Sequence, residues 1–298
     1  MNHGIVFASL AYAAWGLFPL YFRHLATVPA LEVVMHRTLW SLVFLVLILL
    51  WRRQWGWLAP VLRQPRVLGA FALSAMLLVG NWLIYVWAVA NGHVVDASLG
   101  YFILPLVNVA MGYALLHERP RRVQWVAVGL AALGVAWLTW QTGRLPWIAL
   151  ALALTFAIYG LLRKTATLGS LEGLSLETAM LAPMALACLA WWGWQGTAVW
   201  VHADGVQWVW LVAVGPITAV PLLLFAAGAR RIPLSTMGVL QYISPSLQFA
   251  CGVWVFGEAV DSARLAGFAL IWIALLLFTL EGLWRGGRMA RGAGFVAK

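Results

Sequence analysis

Ten stretches of about 20 mostly apolar residues succeed one another along this chain, near 4–22, 31–51, 67–90, 94–116, 122–140, 145–162, 172–195, 206–228, 234–256 and 265–284. A helix of that length crosses the roughly 30 Å hydrocarbon layer of a bilayer. Lipid offers no hydrogen bonds, so each crossing segment must satisfy its own backbone, which a helix does. The breaks at 27–29, 52–65, 91–93, 118–122, 143–144 and 230–233 carry Gly, Pro or charge. Several are only a few residues long, so neighbouring helices must run antiparallel. The expectation is an all-α polytopic membrane protein with ten transmembrane helices.

Composition closes off the soluble alternative. Of 298 residues, 64% are hydrophobic and 9% charged, against about half and a quarter in ordinary soluble domains. The net charge of +10 invites a nucleic-acid reading. However, the basic residues sit in short clusters between apolar runs and form no stripe interleaved with aromatics, so no nucleic-acid partner is expected. Cys188 and Cys251 fall inside apolar runs, where free thiols behave as small hydrophobes. No metal-ligand spacing and no cofactor motif occurs. The first ten residues lack Lys or Arg before the apolar run, so the segment is expected to stay as the first span.

With ten spans both termini share a side. Fifteen Lys and Arg fall in the loops of that side, three (Arg23, Arg144 and Arg264) in the opposite loops, and Arg37 inside span 2. Basic loops stay in the cytoplasm, so both ends, including a basic tail at 286–298, are expected there.

A shift of 140 residues lays Pro105 on Pro245, Gly112 on Gly252 and Glu118 on Glu258, so both copies read P-x6-G-x5-E. Asn108 falls on Gln248 and Glu32 on Glu172, and Trp15-Gly16 resembles Tyr159-Gly160 at a slightly larger offset. The halves are then 1–141 and 145–285, with five spans each. An odd number makes them inverted, an arrangement typical of secondary transporters with a site near the midplane.

Helical spacing puts Tyr101, Pro105, Asn108 and Gly112 on one face of span 4, and Gln241, Pro245, Gln248 and Gly252 on the matching face of span 9. Asn81 and Tyr85 share a face of span 3. Candidate substrate-binding residues are Trp15, Asn81, Tyr85, Tyr101, Asn108, Gln241, Tyr242 and Gln248. Pro105, Gly112, Pro245 and Gly252 are assigned to helix packing. Glu118 and Glu258 are expected at the interface, orienting the next loop. Glu32, His36 and Trp40 share a face of span 2 beside Arg37. His36, Arg37 and Glu177 are candidates for a proton or charge relay, with Asp96 a further titratable group. The opposing reading for these ionisable residues is snorkelling to the nearer surface.

The stretches AYAAWGLFPLYF, LEVVMHRTLWSLVF, NWLIYVWAVANGHVVDASLGYFILPLVNV and RRIPLSTMGVLQYISPSLQF resemble the RarD group, the chloramphenicol-sensitive proteins of the EamA branch of the drug/metabolite transporter superfamily. The resemblance covers nearly the whole chain. It implies a bacterial inner-membrane carrier with two inverted five-helix EamA repeats and a central cavity. Helices 1, 3, 4, 6, 8 and 9 line that cavity in the family, and span 2 is more peripheral.

The expected function is secondary transport, by export or exchange, of a small metabolite or drug-like solute through alternating access, with proton coupling open. The alternatives are a membrane-embedded enzyme or a lipid-handling protein without a defined soluble substrate. No HExxH, GxSxG or Walker motif is present, and the six His are scattered, so no catalytic residues, metal or cofactor are expected. The expected partners are a small-molecule substrate and the bilayer, and the chain is expected to be a monomer or homodimer.

Overall fold

The computed structural model describes residues 3–91, 94–142, 147–255, 257, 265–267, 269–270, 272–277 and 280. Glu258, the turns at 92–93 and 143–144, the 286–298 tail and the Asp96 side chain lie outside the described residues. In chain order the helices are α1 (His3–Gly16), α2 (Phe18–Phe22), α3 (Ala30–Arg52), α4 (Leu58–Leu62), α5 (Pro65–Ala90), α6 (Val94–Leu116), α7 (Arg122–Thr142), α8 (Trp147–Thr165), α9 (Ser170–Trp194), α10 (Gly205–Ala229), α11 (Leu234–Gln241) and α12 (Ile243–Trp254). Short 3-10 turns occur at Arg23–Leu25 and Val199–Val201. No strand occurs among the described residues.

Six segments are long and apolar enough to cross a membrane: His3–Leu25, Ala30–Arg52, Pro65–Tyr85, Trp147–Thr165, Ser170–Trp194 and Gly205–Ala229. Shorter apolar helices occupy Gly100–Leu116 and Arg122–Trp137. Leu47, Trp51, Met76, Trp140 and Trp194 are exposed on the helix surfaces. So much exposed apolar surface is a liability in water, whereas a bilayer accepts it. The protein is a multi-pass membrane protein.

Proline shapes two of the expected spans. Pro19 has no N–H for the Trp15 carbonyl, four residues back, and α1 gives way to α2 at Leu17. Pro245 likewise cannot bond Gln241, and α11 ends at that residue with α12 resuming at Ile243. The expected single span 234–256 is therefore two helices. Pro105 sits inside α6 without ending it.

The early helices pack on the late ones. α1 lies against α10 and α12, α3 against α9 and α10, α5 against α8 and α9, and α6 against α8 and α11. At the α3–α10 crossing a Cβ on Gly215 would lie 2.5 Å from the Trp40 Cβ, so only glycine lets the backbones approach this closely. The neighbouring Ser41 Oγ donates to the Gly215 carbonyl at 3.0 Å.

Polar bonds tie both ends of the bundle. At the basic end, Lys164 Nζ donates to the Ala229 and Ile232 carbonyls at 3.2 and 2.6 Å, and Arg230 donates to the Ala166 and Leu168 carbonyls. At the far end the Tyr21 hydroxyl donates to the Trp210 carbonyl. There the Glu32 carboxylate also accepts from the Val199 and Trp200 amides at 3.1 and 3.0 Å.

Candidate functional site

The two polar stripes meet in direct contact. Asn108 Nδ2 on α6 donates to Gln241 Oε1 on α11 at 3.1 Å. Both side chains are buried, and Asn108 Oδ1 has no hydrogen-bond partner. One turn away, a Cβ on Gly238 would stand 2.6 Å from the Pro105 carbonyl oxygen, so α6 and α11 touch backbone to backbone. The Tyr242 hydroxyl crosses to the Phe102 carbonyl at 3.3 Å. Gln248, the repeat counterpart of Asn108, takes a different partner. Its Nε2 donates at 3.2 Å to the Trp15 carbonyl, the acceptor that Pro19 leaves without its helical donor.

Trp15 belongs to a cluster of rings at the centre of the bundle. Its ring centroid is 5.7 Å from Tyr12, 5.8 Å from Phe156 and 5.6 Å from Phe225. Tyr159 stacks on Phe225 at 6.0 Å. The Tyr12 hydroxyl and Thr218 Oγ1 are buried without a hydrogen-bond partner. Orphaned polar atoms among rings are uncommon in packed cores.

Asn81 faces α8. Its Nδ2 donates to the Leu152 carbonyl and to Thr155 Oγ1, both at 2.9 Å, so both amide protons are committed to the α5–α8 contact.

Glu177 on α9 is 0% exposed and sits at a second polar knot. Ser74 Oγ of α5 donates to Glu177 Oε1 at 2.5 Å. Arg163 Nη1 of α8 lies 3.5 Å from the same oxygen, and Arg163 Nη2 donates to the Ser170 carbonyl at 3.1 Å. The Tyr159 hydroxyl lies near enough to interact electrostatically with the carboxylate. Sequence reasoning placed Arg163 in a basic loop. The structure instead puts it in the last turn of α8, 1% exposed. Glu177 itself was the available signal, because a buried carboxylate needs a cationic or hydrogen-bonding partner. Beside the knot, a cleft of about 260 Å³ is lined by Arg66, Phe71, Ser74, Arg163 and neighbouring residues.

His36 and Arg37, adjacent in the chain, are not brought together by the fold. Successive residues point about 100° apart on a helix, and here they meet different elements. His36 Nε2 lies 3.9 Å from Glu32 Oε1, and its ring is edge-on to Trp208 at 6.2 Å. Glu32, however, is held by the two backbone amides near Val199. The Arg37 guanidinium instead lies over the Trp82 ring of α5, 3.9 Å from its centroid. Tyr85 and Tyr101 are close enough to interact with it electrostatically, and their rings stand edge to face at 6.1 Å. A buried cation–π contact contributes about 2 kcal/mol. An arginine costs roughly 3 kcal/mol or more at the bilayer centre, so the ring alone does not offset the charge. Trp82 is not among the candidate residues that helical spacing singles out.

The packing residues have distinct roles. At the end of α6, His117 adopts φ 54° and turns the chain so that the Glu118 amide bonds the Gly112 carbonyl at 3.0 Å. The Glu118 carboxylate then crosses Gly112, where a Cβ would stand 2.6 Å from Oε2. It accepts from the Leu234 and Ser235 amides at 2.6 and 2.9 Å and from Ser235 Oγ at 2.8 Å. The Gly and Glu of the repeated motif thus cap the start of α11. Lys164 Nζ stands 3.8 Å from the same carboxylate. Pro245 and Gly252 are buried on α12.

Comparison with known proteins agrees with this architecture. The EamA-like transporter family matches residues 2–140. An uncharacterised transporter of Pseudomonas aeruginosa is 45% identical over 285 residues, covering 96% of this chain and 95% of that protein. Protein RarD of Streptomyces exfoliatus is 47% identical over 280 residues, covering 94% and 89%. A crystal structure only 21% identical superimposes with a TM-score of 0.70 over 93% of this chain and 97% of the other, a likeness of fold. The chain belongs to the EamA-like transporter family and, within it, to the RarD group.

Proposed function

We propose that this protein is a secondary transporter that exports or exchanges a small metabolite or drug-like solute across the bacterial inner membrane by alternating access. Its moving parts are residues 1–141 and 145–285, inverted repeats of five spans each, with both termini in the cytoplasm. The observation that carries this reading is the pattern of helix contacts. Exchanging the two halves turns the α1–α10 contact into α8–α5, the α3–α10 contact into α9–α5, and the α6–α8 contact into α11/α12–α1, and all of these pairs occur. The α3–α9 and α6–α11 contacts map onto themselves. Two equivalent packings of this kind are what rocking about a central axis requires. Relatives named as transporters support the same reading.

The working surface is the line of the Asn108–Gln241 contact, the Gln248–Trp15 bond and the ring cluster beneath them. Closing and opening exchange those internal bonds for bonds to solute. Proton drive enters through Glu177, the buried carboxylate at a junction of three helices from both halves.

Flux of a broad metabolite pool into proteoliposomes, with and without a pH gradient, tests the proposal. At least one solute is expected to accumulate in a protein-dependent manner, faster with the gradient. If every solute fails to move, the carrier reading is lost; if the gradient makes no difference, proton drive is lost.

A further inference from the structure

We propose that Arg37, with Trp82, Tyr85 and Tyr101, is a recognition site for the carboxylate of a monoanionic organic solute whose flat or apolar body lies against the three rings. The four residues come from α3, α5 and α6. Arg37 lies seven residues into α3, Trp82 eight residues before the end of α5, and Tyr101 seven residues into α6. At 1.5 Å per residue all three sit about 10–12 Å from the ends of their helices, so they share one depth.

The contrast with the protein's other inner cations carries the inference. Arg163 has Glu177 and the Ser170 carbonyl. Lys164 has Glu118 and two carbonyls. Arg37 has no carboxylate and no hydrogen-bond acceptor among the described residues; its Nε, like that of Arg163, is buried without a partner. Glu32, the acid on its own helix, is occupied by the Val199 and Trp200 amides. A guanidinium presents a planar fork that two carboxylate oxygens fit together. The tyrosine hydroxyls can donate to the same anion. A single cation balances one negative charge, so a monocarboxylate suits the site better than a doubly charged phosphate. Trp82 and the tyrosines supply ring faces for the remainder of the solute. Tyr85 is 38% exposed, so one edge of the group reaches the surface of the bundle.

This proposal names the substrate class for the carrier reading above, but binding can be measured without transport. The test uses the purified full-length protein in detergent, with thermal unfolding followed against indole-3-acetate and phenylacetate, their amides, and tryptamine. The two acids are expected to raise Tm saturably, and the amides and the amine not to. Arg37→Gln is expected to weaken acid binding at least about tenfold, the scale of a lost charge-assisted hydrogen bond. Tyr101→Phe is expected to weaken it less. Arg37→Lys keeps the charge but not the fork, and supplies the comparison if the glutamine variant fails to elute as a folded peak. It is expected to bind acids more weakly while still preferring them to amides. Equal shifts from acids and amides, undiminished acid binding in Arg37→Gln, or no shift from either acid in the wild type would overturn the site. Arg37→Gln that still moves the same solutes at the same rates would overturn this site and leave the carrier intact. Acid binding through Arg37 without flux of any solute would do the reverse.

Discussion

At the scale of single residues the energetics turn on groups that must not be left alone. Arg163 and Glu177 are both buried, and each is the other's main electrostatic compensation. Removing one charge leaves the other unpaired in a low-dielectric interior, at a cost of about 3–5 kcal/mol. Glu177→Ala is therefore expected to lower Tm in detergent sharply, whereas Glu177→Leu combined with Arg163→Met should recover much of the loss. Equal stability of the single and double variants would show that the pair contributes little. Asn108 raises a milder version of the same problem. Asn108→Leu leaves the buried Gln241 carbonyl oxygen without its donor, at about 1–3 kcal/mol. It should also abolish flux while the protein still elutes as a folded peak, as should Gln248→Leu. Full transport by either variant would remove those amides from the pathway. The amides were legible from spacing alone. Arg163 was not, because a basic residue next to a lysine at the end of an apolar run has the same sequence signature whether it faces water or folds back onto a carboxylate.

At the scale of elements, prolines and caps decide where helices stop. Pro245 denies Gln241 its helical donor, and Pro19 does the same to Trp15. The second gap is filled by Gln248 from across the bundle. Pro245→Ala restores an amide to the α11–α12 junction and is expected to straighten it, raising Tm while slowing flux, because Gln248 would be turned away from Trp15. Unchanged flux would mean that the break has no part in transport. The Glu118 cap gives a separate prediction. Glu118→Ala removes the acceptor from the Leu234 and Ser235 amides and should cost about 1–2 kcal/mol, whereas Glu118→Gln keeps an acceptor and should cost less. Tm values of the two variants decide it. The repeated P-x6-G-x5-E motif marked this corner in the sequence. Which helix start it caps was not written there, because Leu234 lies 116 residues further along the chain.

At the scale of the whole molecule, the charge asymmetry predicts an orientation that side-specific labelling can measure. In a Cys188→Ala/Cys251→Ala background, Thr197→Cys should react with an impermeant thiol reagent in intact cells. Gln54→Cys should react only after the membrane is permeabilised; both positions are exposed. The opposite pattern would invert the topology, and labelling of both from one side would break the span count. The contacts at the two ends join different pairs of segments, the α8 end and α11 start to Glu118 at one, the Val199–Val201 turn to Glu32 at the other. On the proposed alternating access, movement between the halves would exchange bonds at both ends.

Apolar run length and charge placement decide, with no knowledge of contacts, that this chain lives in a bilayer as a series of helices. Both follow from the transfer free energy of each segment taken alone, which is a local property. The match of the sequence to itself at a shift of 140 residues adds an expectation of which helices correspond. Partnership is different, because it depends on which residues arrive at the same place, and residues far apart in sequence carry no mark of meeting. Glu32 and Glu172 are equivalent by the repeat. Yet Glu32 bonds the amides near Val199, while a Cβ on Gly169 would meet the Glu172 carboxylate at its own helix start. His36 and Arg37 are neighbours in the chain and part company around the helix. Only the packed bundle reveals that Arg37 rests on Trp82 and that Glu177 is held by Arg163 and Ser74.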